Sequence, residues 1–491
     1  MVYFYPFQQC KPSLQAIRSV CIMLAIVWAG NLAAQAVAPA GGGAWNAGLS
    51  AEQAICVTPE QQAALVPTLR AKANAFLAAN PDAFADASAR LRSGIDHAYF
   101  SFPIRAKNEF ADPGYFALTN YVDHNLAAGS LSDYNCGDRS YDWATGNHQG
   151  TDYILWPYPW QRMDDDVMEV VAGAPGVIIE KIDGNYDRSC EINGSTLWNA
   201  IHILHADGSI AWYLHFKTGS LTTKGIGEAV AEGEFLGTAG SSGSSDIPHL
   251  HFQVFDAADD VVDPYFGTCN SINPDTWWSD QTPYWEPQIN RISTHDAIPE
   301  ESCPNPESDH ESQVFDPGDT VFFVLWYKDL LNGALTSMEV IDPAGAVYNA
   351  WDFTSPWADF SAGWAYWFLE TMPTDALGEY TFRAVFEGET YERIFYLGAP
   401  PTGLADPTLD AAWNLFPNPS SGSATLQWTP LAREQATVSV WDAHGRLLWQ
   451  QNLAAGMAHA KHPLPQLESG MYTVRMQQGI AVATKRWTVL R

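Results

Sequence analysis

The sequence predicts a mainly β protein: a β-rich central domain, an immunoglobulin-like β-sandwich and a small C-terminal β-sandwich, with a short helical segment near the N-terminus. Three observations support this. The chain has 491 residues, too many for one hydrophobic core, so about three domains are expected. Its 20 Trp, 20 Tyr and 23 Phe supply apolar surface for several cores. From Tyr99 onward, short alternating polar and apolar runs are separated by turn residues, which is typical of strands.

Residues 1–36 predict a secretion signal peptide. Lys11 and Arg18 form a basic region, residues 20–30 are apolar, and Ala34–Gln35–Ala36 offers a small-x-small cleavage site. A membrane anchor is the alternative, but this run is too short for a bilayer, and no later segment approaches about 18 apolar residues. We therefore expect an exported protein with no transmembrane span in the mature chain.

The charge balance argues against nucleic-acid partners. Only 25 Lys and Arg face 56 Asp and Glu, which gives a formal net charge of -31 at pH 7. Such a surface repels phosphate backbones and anionic membrane faces, so we expect no nucleic-acid partner. We interpret the acidity as a source of solubility outside the cell.

The first two segments after the signal differ in composition. Residues 37–98 begin rich in Ala and Gly and then show helical spacing over 50–92, which predicts about two helices and a possible propeptide. Residues 99–267 are β-rich. Within them, residues 200–204 and 210–216 flank an Asp–Gly turn and predict a hairpin.

The next segments alternate linkers with a sandwich. Residues 268–312, rich in Pro, Asn, Ser and Trp, predict an irregular linker, and residues 398–413, with three prolines, predict a second one. Between them, residues 313–397 show short alternating strands with Pro and Gly turns, which predicts an immunoglobulin-like β-sandwich. Its tryptophans could stack on sugar rings or fill the core, and both interpretations stay open. They are Trp326, Trp351, Trp357, Trp364 and Trp367.

Three short stretches are rich in metal-binding side chains. In chain order they are His148-Gln-Gly-Thr-Asp152, Tyr213-Leu-His215-Phe216 and His249-Leu-His251-Phe252. Residues two apart in a strand face the same side, so His249 and His251 would project together. His148 and Asp152 suit a turn that enters a strand, where both side chains can converge on one point.

Two imidazoles and one carboxylate, with a fourth position left for water, form the donor set of a catalytic zinc site. Zinc in such a site lowers the pKa of its water to about 7 and polarises the scissile carbonyl. The remaining histidines could serve as proton shuttle or oxyanion stabiliser. Each stretch alone is a weak signal, but their order in a β-rich, exported chain is a much stronger one.

The three stretches resemble the lysostaphin/LytM-like zinc metallopeptidases, peptidase family M23, over roughly residues 142–263. The family pattern is H-x-x-x-D, then a Y-x-H strand, then H-L-H-F after a Gly/Ser loop, which here is Gly237–Pro248. The resemblance implies a LytM-like zinc peptidase domain over 99–267, with Zn2+ as cofactor. It implies these roles: His148, Asp152 and His251 as zinc ligands, and His215 and His249 as catalytic histidines that do not bind the metal.

The chain departs from the family in a long polar insertion over 183–195, close to the acidic triplet Asp164–Asp166. Both could reshape one rim of the groove. We interpret the triplet as a solvated loop, because it lacks the spaced oxygen ligands of a calcium loop. We expect His205 to make a hairpin hydrogen bond and His202 to belong to the scaffold.

Secretion permits disulfides, and removal of the signal leaves five cysteines, so at least one thiol stays free or pairs with another chain. They are Cys56, Cys136, Cys190, Cys269 and Cys303. We expect Cys136 to pair with Cys190, and Cys269 with Cys303, because each pair brackets an irregular segment with little core of its own.

Residues 414–491 resemble the C-terminal sorting domain of the type IX (Por) secretion pathway. The matching stretches are residues 415–422, 441–446, 467–474 and 487–491. The resemblance implies passage through the periplasm, handling by the type IX secretion machinery, and delivery to the cell surface or the medium. A second adhesive sandwich is the alternative.

Together these features predict a secreted zinc metalloendopeptidase. Peptidoglycan cross-links or glycine-rich peptides are the expected substrates, because a metal on a sheet walled by loops leaves a narrow channel that favours small residues. One alternative is an extracellular proteinase that acts on proteins. The other is a zinc-binding, non-catalytic regulator of another wall hydrolase, which the retention of all three ligands disfavours.

Overall fold

The computed structural model describes residues 41–45, 57–85, 97–398 (apart from 109, 144, 145 and 196), 409, 412–428, 436–441, 447–453, 460–478 and 481–490. The predicted signal peptide and most of the predicted second linker lie outside these ranges, as does Cys56. Among the described residues, no helix combines the length and the apolar character needed to cross a membrane.

Helix α1 (Pro59–Ala79) lies between the N-terminal strand and the central domain. Its first turn is capped reciprocally: the Thr58 hydroxyl accepts from the Gln61 N–H, and the Gln61 side-chain oxygen accepts from the Thr58 N–H. Leu69 and Ala73 are its buried residues. The helix confirms one of the two predicted here, and residues 86–96 lie outside the described ranges.

Short antiparallel strands make up the N-terminal and central parts of the chain. Strands β1 to β14 are, in chain order, Gly41–Trp45, Ile104–Ala106, Phe116–Asn120, Asp142–Trp143, Gly146–Asn147, Thr151–Leu155, Met168–Val171, Gly176–Ile182, Ala200–Leu204, Ile210–Leu214, Ala229–Val230, Phe235–Thr238, His249–Phe255 and Val261–Val262. A short helix, α2 (Pro159–Asp164), follows β6. One large sheet, the central sheet, has the order β11-β8-β9-β10-β13-β6-β3 with β14 beside β13, and a smaller sheet has the order β12-β7-β2.

The predicted hairpin is confirmed, since β9 and β10 pair antiparallel with Ile210 opposite Leu204. Gly208 in its turn has a φ of 88°, which favours glycine. Directly paired residues of an antiparallel sheet lie on the same face. The register therefore defines three successive rows on one face, which we call the front face: His202–Trp212–Gln253, then Leu214–His251–Asp152, then Ala117–Ile154–His249.

Two different elements cover the ends of the front face. Leu69 and Ala73 of α1 pack with Trp212 beside the first row. In the third row, Ala117 and Ile154 pack with aromatic residues of the sandwich. The second row, which holds two of the predicted zinc ligands, lies between these two covers.

The sandwich consists of two packed sheets, as predicted. Strands β15 to β22 are Gln288–His295, Val314–Phe315, Val321–Leu330, Leu335–Ile341, Val347–Thr354, Phe360–Leu369, Gly378–Phe386 and Glu389–Leu397. One sheet has the order β1-β20-β17-β15 and the other β16-β22-β21-β18-β19. Two expectations change here. Residues 288–295, expected in an irregular linker, form β15 because Ile289 and Ile292 pack into the sandwich core. Residues 41–45, expected in a flexible lead-in, pair with β20.

The tryptophans of the sandwich divide between two environments. Trp351 and Trp367 are buried in its core, which is the packing interpretation. Trp326 and Trp364 instead pack against the central domain. Direct bonds also join the two domains: Trp156 Nε1 donates to the Tyr327 carbonyl at 2.9 Å.

The C-terminal part holds strands β23 to β29: Trp413–Phe416, Thr425–Trp428, Ala436–Trp441, Leu447–Leu453, Ala460–Pro463, Gly470–Gln478 and Ala481–Val489. They form two sheets, in the orders β23-β24-β27 and β26-β25-β28-β29. Trp413, Trp428 and Trp487 are fully buried in the core between them. With these sheets, the mainly β fold class is confirmed.

Two disulfides join Cys136 to Cys269 and Cys190 to Cys303. Both predicted pairs were therefore wrong. The predicted pairing joined cysteines that bracket a segment in sequence, whereas the fold joins segments from distant parts of the chain. Cys190 belongs to the polar insertion, and the Arg188 guanidinium of that insertion donates to the Pro304 carbonyl at 2.7 Å, which brings Cys303 alongside.

Candidate metal centre

Three segments bring the predicted zinc ligands together. Strands β6 and β13 pair so that Asp152 lies opposite His251. His148 follows β5 in the turn that enters β6. One ligand atom from each of these residues lies within 4.8 Å of the other two, and all three side chains are buried.

The donor atoms of the three side chains face one another. His148 Nε2 lies 3.2 Å from Asp152 Oδ2, and His251 Nδ1 lies 2.9 Å from Asp152 Oδ1. The two imidazole nitrogens, His148 Nε2 and His251 Nδ1, are 3.2 Å apart. A lone pair from each imidazole and one carboxylate oxygen therefore converge on one point.

A separate hydrogen bond orients each of these side chains. His148 Nδ1 contacts the Tyr121 carbonyl at 2.8 Å, and His251 Nε2 contacts the Gln253 side-chain oxygen at 3.1 Å. Because both acceptors lack a hydrogen, each ring carries its proton at that contact, which leaves His148 Nε2 and His251 Nδ1 as lone-pair donors. The Asn120 amide donates to Asp152 Oδ2 at 2.9 Å.

Gly150 and Tyr141 complete the packing of the imidazoles. A Cβ atom at Gly150 would lie 2.6 Å from the His251 ring, so only glycine fits there. The Tyr141 ring stacks on His148 with 4.3 Å between ring centroids. These contacts hold both rings in place before any ligand binds.

The electrostatics keep the carboxylate charged. Burial alone would raise the pKa of Asp152, but the charges and hydrogen bonds of His148 and His251 outweigh it and hold that pKa well below its usual range. Burial lowers the pKa of His251, against the opposing effect of Asp152. An ionised carboxylate is the form of Asp152 that a divalent metal requires. Nitrogen and oxygen donors, three in number, fit a catalytic zinc ion with one open position.

The two remaining histidines of the predicted site lie side by side next to this cluster. The His215 and His249 rings are 4.5 Å apart between centroids. His215 Nδ1 donates to the Ser242 carbonyl at 2.6 Å, and His249 Nδ1 donates to the Ile247 carbonyl at 2.8 Å. His249 Nε2 lies 3.8 Å from Asp152 Oδ1, so it faces the donor cluster.

His215 has a buried and strained environment. Burial holds the pKa of its imidazole well below the usual range, and the charges of His249 and His251 lower it further. Its backbone has a φ of 69°, in the left-handed region that costs a non-glycine residue roughly 1–3 kcal/mol. Such strain persists where the surrounding structure imposes it, and it is concentrated at functional sites.

The other two histidines weighed from the sequence lie away from the cluster. His202 is fully buried, and neither of its ring nitrogens has a hydrogen-bond partner among the described residues. Burial, with a smaller effect from Lys72, lowers the pKa of His202 to about 3. His205 makes the expected hairpin hydrogen bond through its backbone N–H, which donates to the Ser209 carbonyl, and its ring contacts the Pro175 carbonyl at 2.9 Å.

The acidic triplet makes ion pairs. Asp164 pairs with Arg188 of the polar insertion, and Asp166 pairs with Lys217 at 2.6 Å. These pairs fasten the insertion and the segment after His215 to the helix α2 region. The expectation of a solvated loop is therefore corrected: Asp164 ends α2 and is half-buried, and the Asp164 and Asp166 carboxylates are paired with cations.

The residues that orient the ligands were not predicted from the sequence. Gln253 could have been predicted, because Gln253 lies two positions after His251 in the same strand and must share its face. Asn120 and the Tyr121 carbonyl had no such signal, since β3 is far from the ligands in sequence and joins them only through its pairing with β6.

Two family models match parts of the chain. Residues 163–264 match peptidase family M23, and residues 414–490 match the secretion system C-terminal sorting domain. The chain carries an M23 peptidase domain. M23 is a family of zinc-dependent endopeptidases. The matched range contains His215, His249 and His251 but begins after His148 and Asp152, which the fold brings alongside His251.

Solved structures similar to parts of the chain include two M23 catalytic domains. The catalytic domain of lysostaphin from Staphylococcus simulans is 28% identical, over 25% of this chain and 78% of that one, with a TM-score of 0.18. The catalytic domain of the prophage-encoded M23 protein EnpA from Enterococcus faecalis is 20% identical, over 32% and 92%, with a TM-score of 0.20. No curated protein matches the chain.

The C-terminal domain determines where the protein goes. A secretion system sorting domain of the Por type indicates secretion or cell-surface attachment through type IX secretion. The M23 domain is therefore delivered outside the cell, as the sequence predicted. Its two disulfides agree with an oxidising environment.

Proposed function

We propose that this chain is a secreted zinc metalloendopeptidase that hydrolyses peptide bonds in peptidoglycan cross-links or glycine-rich peptides, with His148, Asp152 and His251 as the zinc ligands. The observation that carries this proposal is the separate hydrogen-bond partner of each ligand, which aims its donor atom at the common point. Partners of this kind are a regular feature of metal sites, where they fix the tautomer and raise affinity.

When bound, zinc supplies a Lewis acid that acidifies water and polarises the scissile carbonyl. We assign catalytic roles to His215 and His249. With its Nδ1 proton held by the Ile247 carbonyl, His249 offers an unprotonated Nε2, which accepts a proton from the attacking water and returns it to the leaving amine. His215 packs against the His249 ring and confines it to the orientation that this transfer needs.

The surroundings of the metal row support an extended peptide substrate. Helix α1 and the sandwich cover the front face on either side of that row, and we propose that the substrate approaches the row through a confined channel between them. A confined channel favours small residues beside the cleaved bond, such as the glycine or D-alanine of peptidoglycan cross-links, and extended peptides can lie along strand edges. At a net charge of -31 the enzyme gains no electrostatic steering towards an anionic wall, so its activity should tolerate moderate salt.

The test combines metal analysis with three substrates. Purified full-length protein is assayed for zinc and incubated with peptidoglycan, with a glycine-rich peptide and with casein, and the new termini are identified by mass spectrometry. We expect bound zinc and cleavage of wall or glycine-rich peptide. Cleavage of casein alone would reassign the protein as an extracellular proteinase, and zinc binding without any cleavage would reassign it as a non-catalytic regulator.

A further inference from the structure

A cavity of about 350 Å³ opens between the central domain and the sandwich, on the far side of the His249 row from α1. Several parts of the chain line it, among them the segment 156–160 and Glu307. Asp246 and Ile247 come from the loop before β13, Trp326 and Trp364 come from the sandwich, and a segment that we call the strap, residues 299–303, closes another side.

The floor of this cavity is aromatic and rigid. Trp326 and Trp364 stack with 5.0 Å between ring centroids, and Tyr158 meets Trp326 edge-on at 4.7 Å. Trp326 is 4% exposed and Trp364 is 9% exposed, so neither offers the open flat face on which a sugar ring stacks. Trp326 Nε1 and Tyr158 Oη are buried without a hydrogen-bond partner among the described residues.

The rim of the cavity is acidic. Asp246, Glu300, Glu301 and Glu307 line it, and no described lining residue is Lys, Arg or His. Glu307 is held in place, since its carboxylate accepts the backbone N–H groups of Trp160 and Gln161 at 3.1 and 3.0 Å. Glu300 and Glu301 are exposed and make no ion pair with any described residue. The cavity therefore concentrates negative charge over an aromatic floor.

A hydrogen bond and a disulfide connect the lining of the cavity to the region of the proposed catalytic histidines. The Ile247 carbonyl that lines it accepts the Nδ1 proton of His249. The strap is joined to the polar insertion by the Cys190–Cys303 disulfide, and Cys303 Sγ lies 3.9 Å from the Asp246 carbonyl oxygen. Ile247 lies two residues before β13, the strand that carries His249 and His251. The cavity therefore lies beside the loop that positions His249.

We propose that this cavity binds an ammonium group of the peptide substrate, so that the enzyme prefers peptides with an amine-bearing residue on the sandwich side of the cleaved bond. Carboxylates attract an ammonium ion directly and accept its hydrogen bonds. The identity of the ligand as substrate rests on the function proposed above, whereas the binding of an ammonium group does not.

The opposite side of the metal row differs in charge. A cavity of about 660 Å³ lies there, between α1 and the turn that carries His148. Its lining is small or neutral, with Ala63, Asn147 and Gln149 among the residues, and the one charged residue in its described lining, Asp259, is paired with Arg70 at 2.8 Å. The two sides of the metal row therefore differ in charge, and this difference would set the direction in which a cationic peptide lies.

The experiment measures binding apart from cleavage. Full-length protein stripped of metal by a chelator is titrated with two peptides that are identical except for one position, lysine in the first and the uncharged norleucine in the second. We expect the lysine peptide to bind about tenfold more tightly, because only its ammonium group can donate hydrogen bonds to the rim carboxylates. The preference should fall as salt is added.

Two variants and a matched control assign the effect to the cavity. Glu300→Gln with Glu301→Gln should abolish the lysine preference, and so should Ser302→Lys, which supplies an internal ammonium group to the same rim. The control, Glu387→Gln with Glu389→Gln, changes the charge equally at the distant β21–β22 turn and should keep the preference.

Equal binding of the two peptides by the unaltered protein would overturn the proposal, as would a lysine preference that survives both rim variants. Tighter binding of an N-acetylglucosamine oligosaccharide that the rim variants weaken would also overturn it, in favour of a sugar site. If the lysine preference holds in binding but zinc-loaded protein cleaves neither peptide, the function proposed above fails and the ammonium site stands.

Discussion

Two neighbouring rows of one sheet face place buried histidines in opposite chemical settings. In the first row, beside α1, His202 has no hydrogen-bond partner among the described residues, and burial lowers its pKa to about 3. In the second row, His251 contacts Asp152 through one ring nitrogen and Gln253 through the other. Burial keeps both rings neutral, but only the second row aims a lone pair at other donors. Hydrogen-bond partners, not burial, therefore distinguish a metal site from scaffold.

The covers of the two rows differ as well. Helix α1 seals the first row with apolar contacts from Leu69 and Ala73. Arg70 anchors the helix at the strand ends, where its guanidinium donates to the Gly208 and Asp256 carbonyls at 2.7 and 2.6 Å. A segment expected as a possible propeptide is thus packed into the central domain as one wall beside the metal row.

Replacement of a ligand should have the largest effect. Asp152→Ala removes the only carboxylate of the donor set, so bound zinc and activity should be lost together, with activity falling at least about 1000-fold. His202→Leu, in the neighbouring row, should keep both. Zinc content and peptide cleavage are measured on the same samples. Full zinc occupancy in Asp152→Ala would contradict the ligand assignment.

Replacement of His249, the proposed proton acceptor, should separate catalysis from metal binding. His249→Ala removes the proton acceptor but no ligand, so zinc should stay bound while kcat falls about 100- to 10 000-fold. Loss of zinc in this variant would show instead that His249 belongs to the ligand set.

Weakening the packing of α1 on the first row should lower the free energy of unfolding. Leu69 is 1% exposed, and Leu69→Ala should lower the free energy of unfolding by about 3 kcal/mol through lost packing and the cavity left behind. Leu77→Ala on the same helix is the control, because Leu77 is 36% exposed and should change stability by less than about 0.5 kcal/mol. Denaturation followed by tryptophan fluorescence gives both values. Equal losses would mean that α1 does not pack on the sheet as described.

The first-row histidine should make stability fall in acid. Because the folded pKa of His202 is about 3 and the unfolded value is 6.5, only the unfolded chain takes up this proton between those pH values. The contribution is complete above pH 6.5 and is lost progressively as the pH falls towards 3, by about 2 kcal/mol at pH 5. His202→Leu should flatten this part of the pH–stability curve. If the slope of the pH–stability curve is unchanged in His202→Leu, other titratable groups cause the loss of stability in acid.

Removal of an orienting partner should have the smallest effect. Gln253→Ala leaves every ligand in place but frees the His251 ring, so zinc affinity should fall about 10- to 100-fold. Gln253→Glu keeps an acceptor at that position and should retain the affinity. Competition with a chromogenic chelator measures both. Unchanged affinity in Gln253→Ala would show that packing alone orients His251.

The sequence predicted most of the donor cluster because its signals are local. His249 and His251 share a face through strand geometry, and His148 and Asp152 converge through one turn, so neither needs knowledge of distant segments. The same locality explains the failures. Cysteine pairing depends on which distant loops meet in the fold. Likewise, residues 288–295 form β15 because Ile289 and Ile292 pack into the core of the sandwich, which is distant from them in sequence.

The most direct test of the central claim is the position of the metal itself. Crystals of the zinc-loaded full-length protein, measured on both sides of the zinc absorption edge, would locate zinc by its anomalous scattering. We expect one strong peak about 2.0–2.2 Å from His148 Nε2, His251 Nδ1 and an Asp152 carboxylate oxygen. A peak bound by His215 or His202, or no peak at this cluster in zinc-loaded protein, would contradict it.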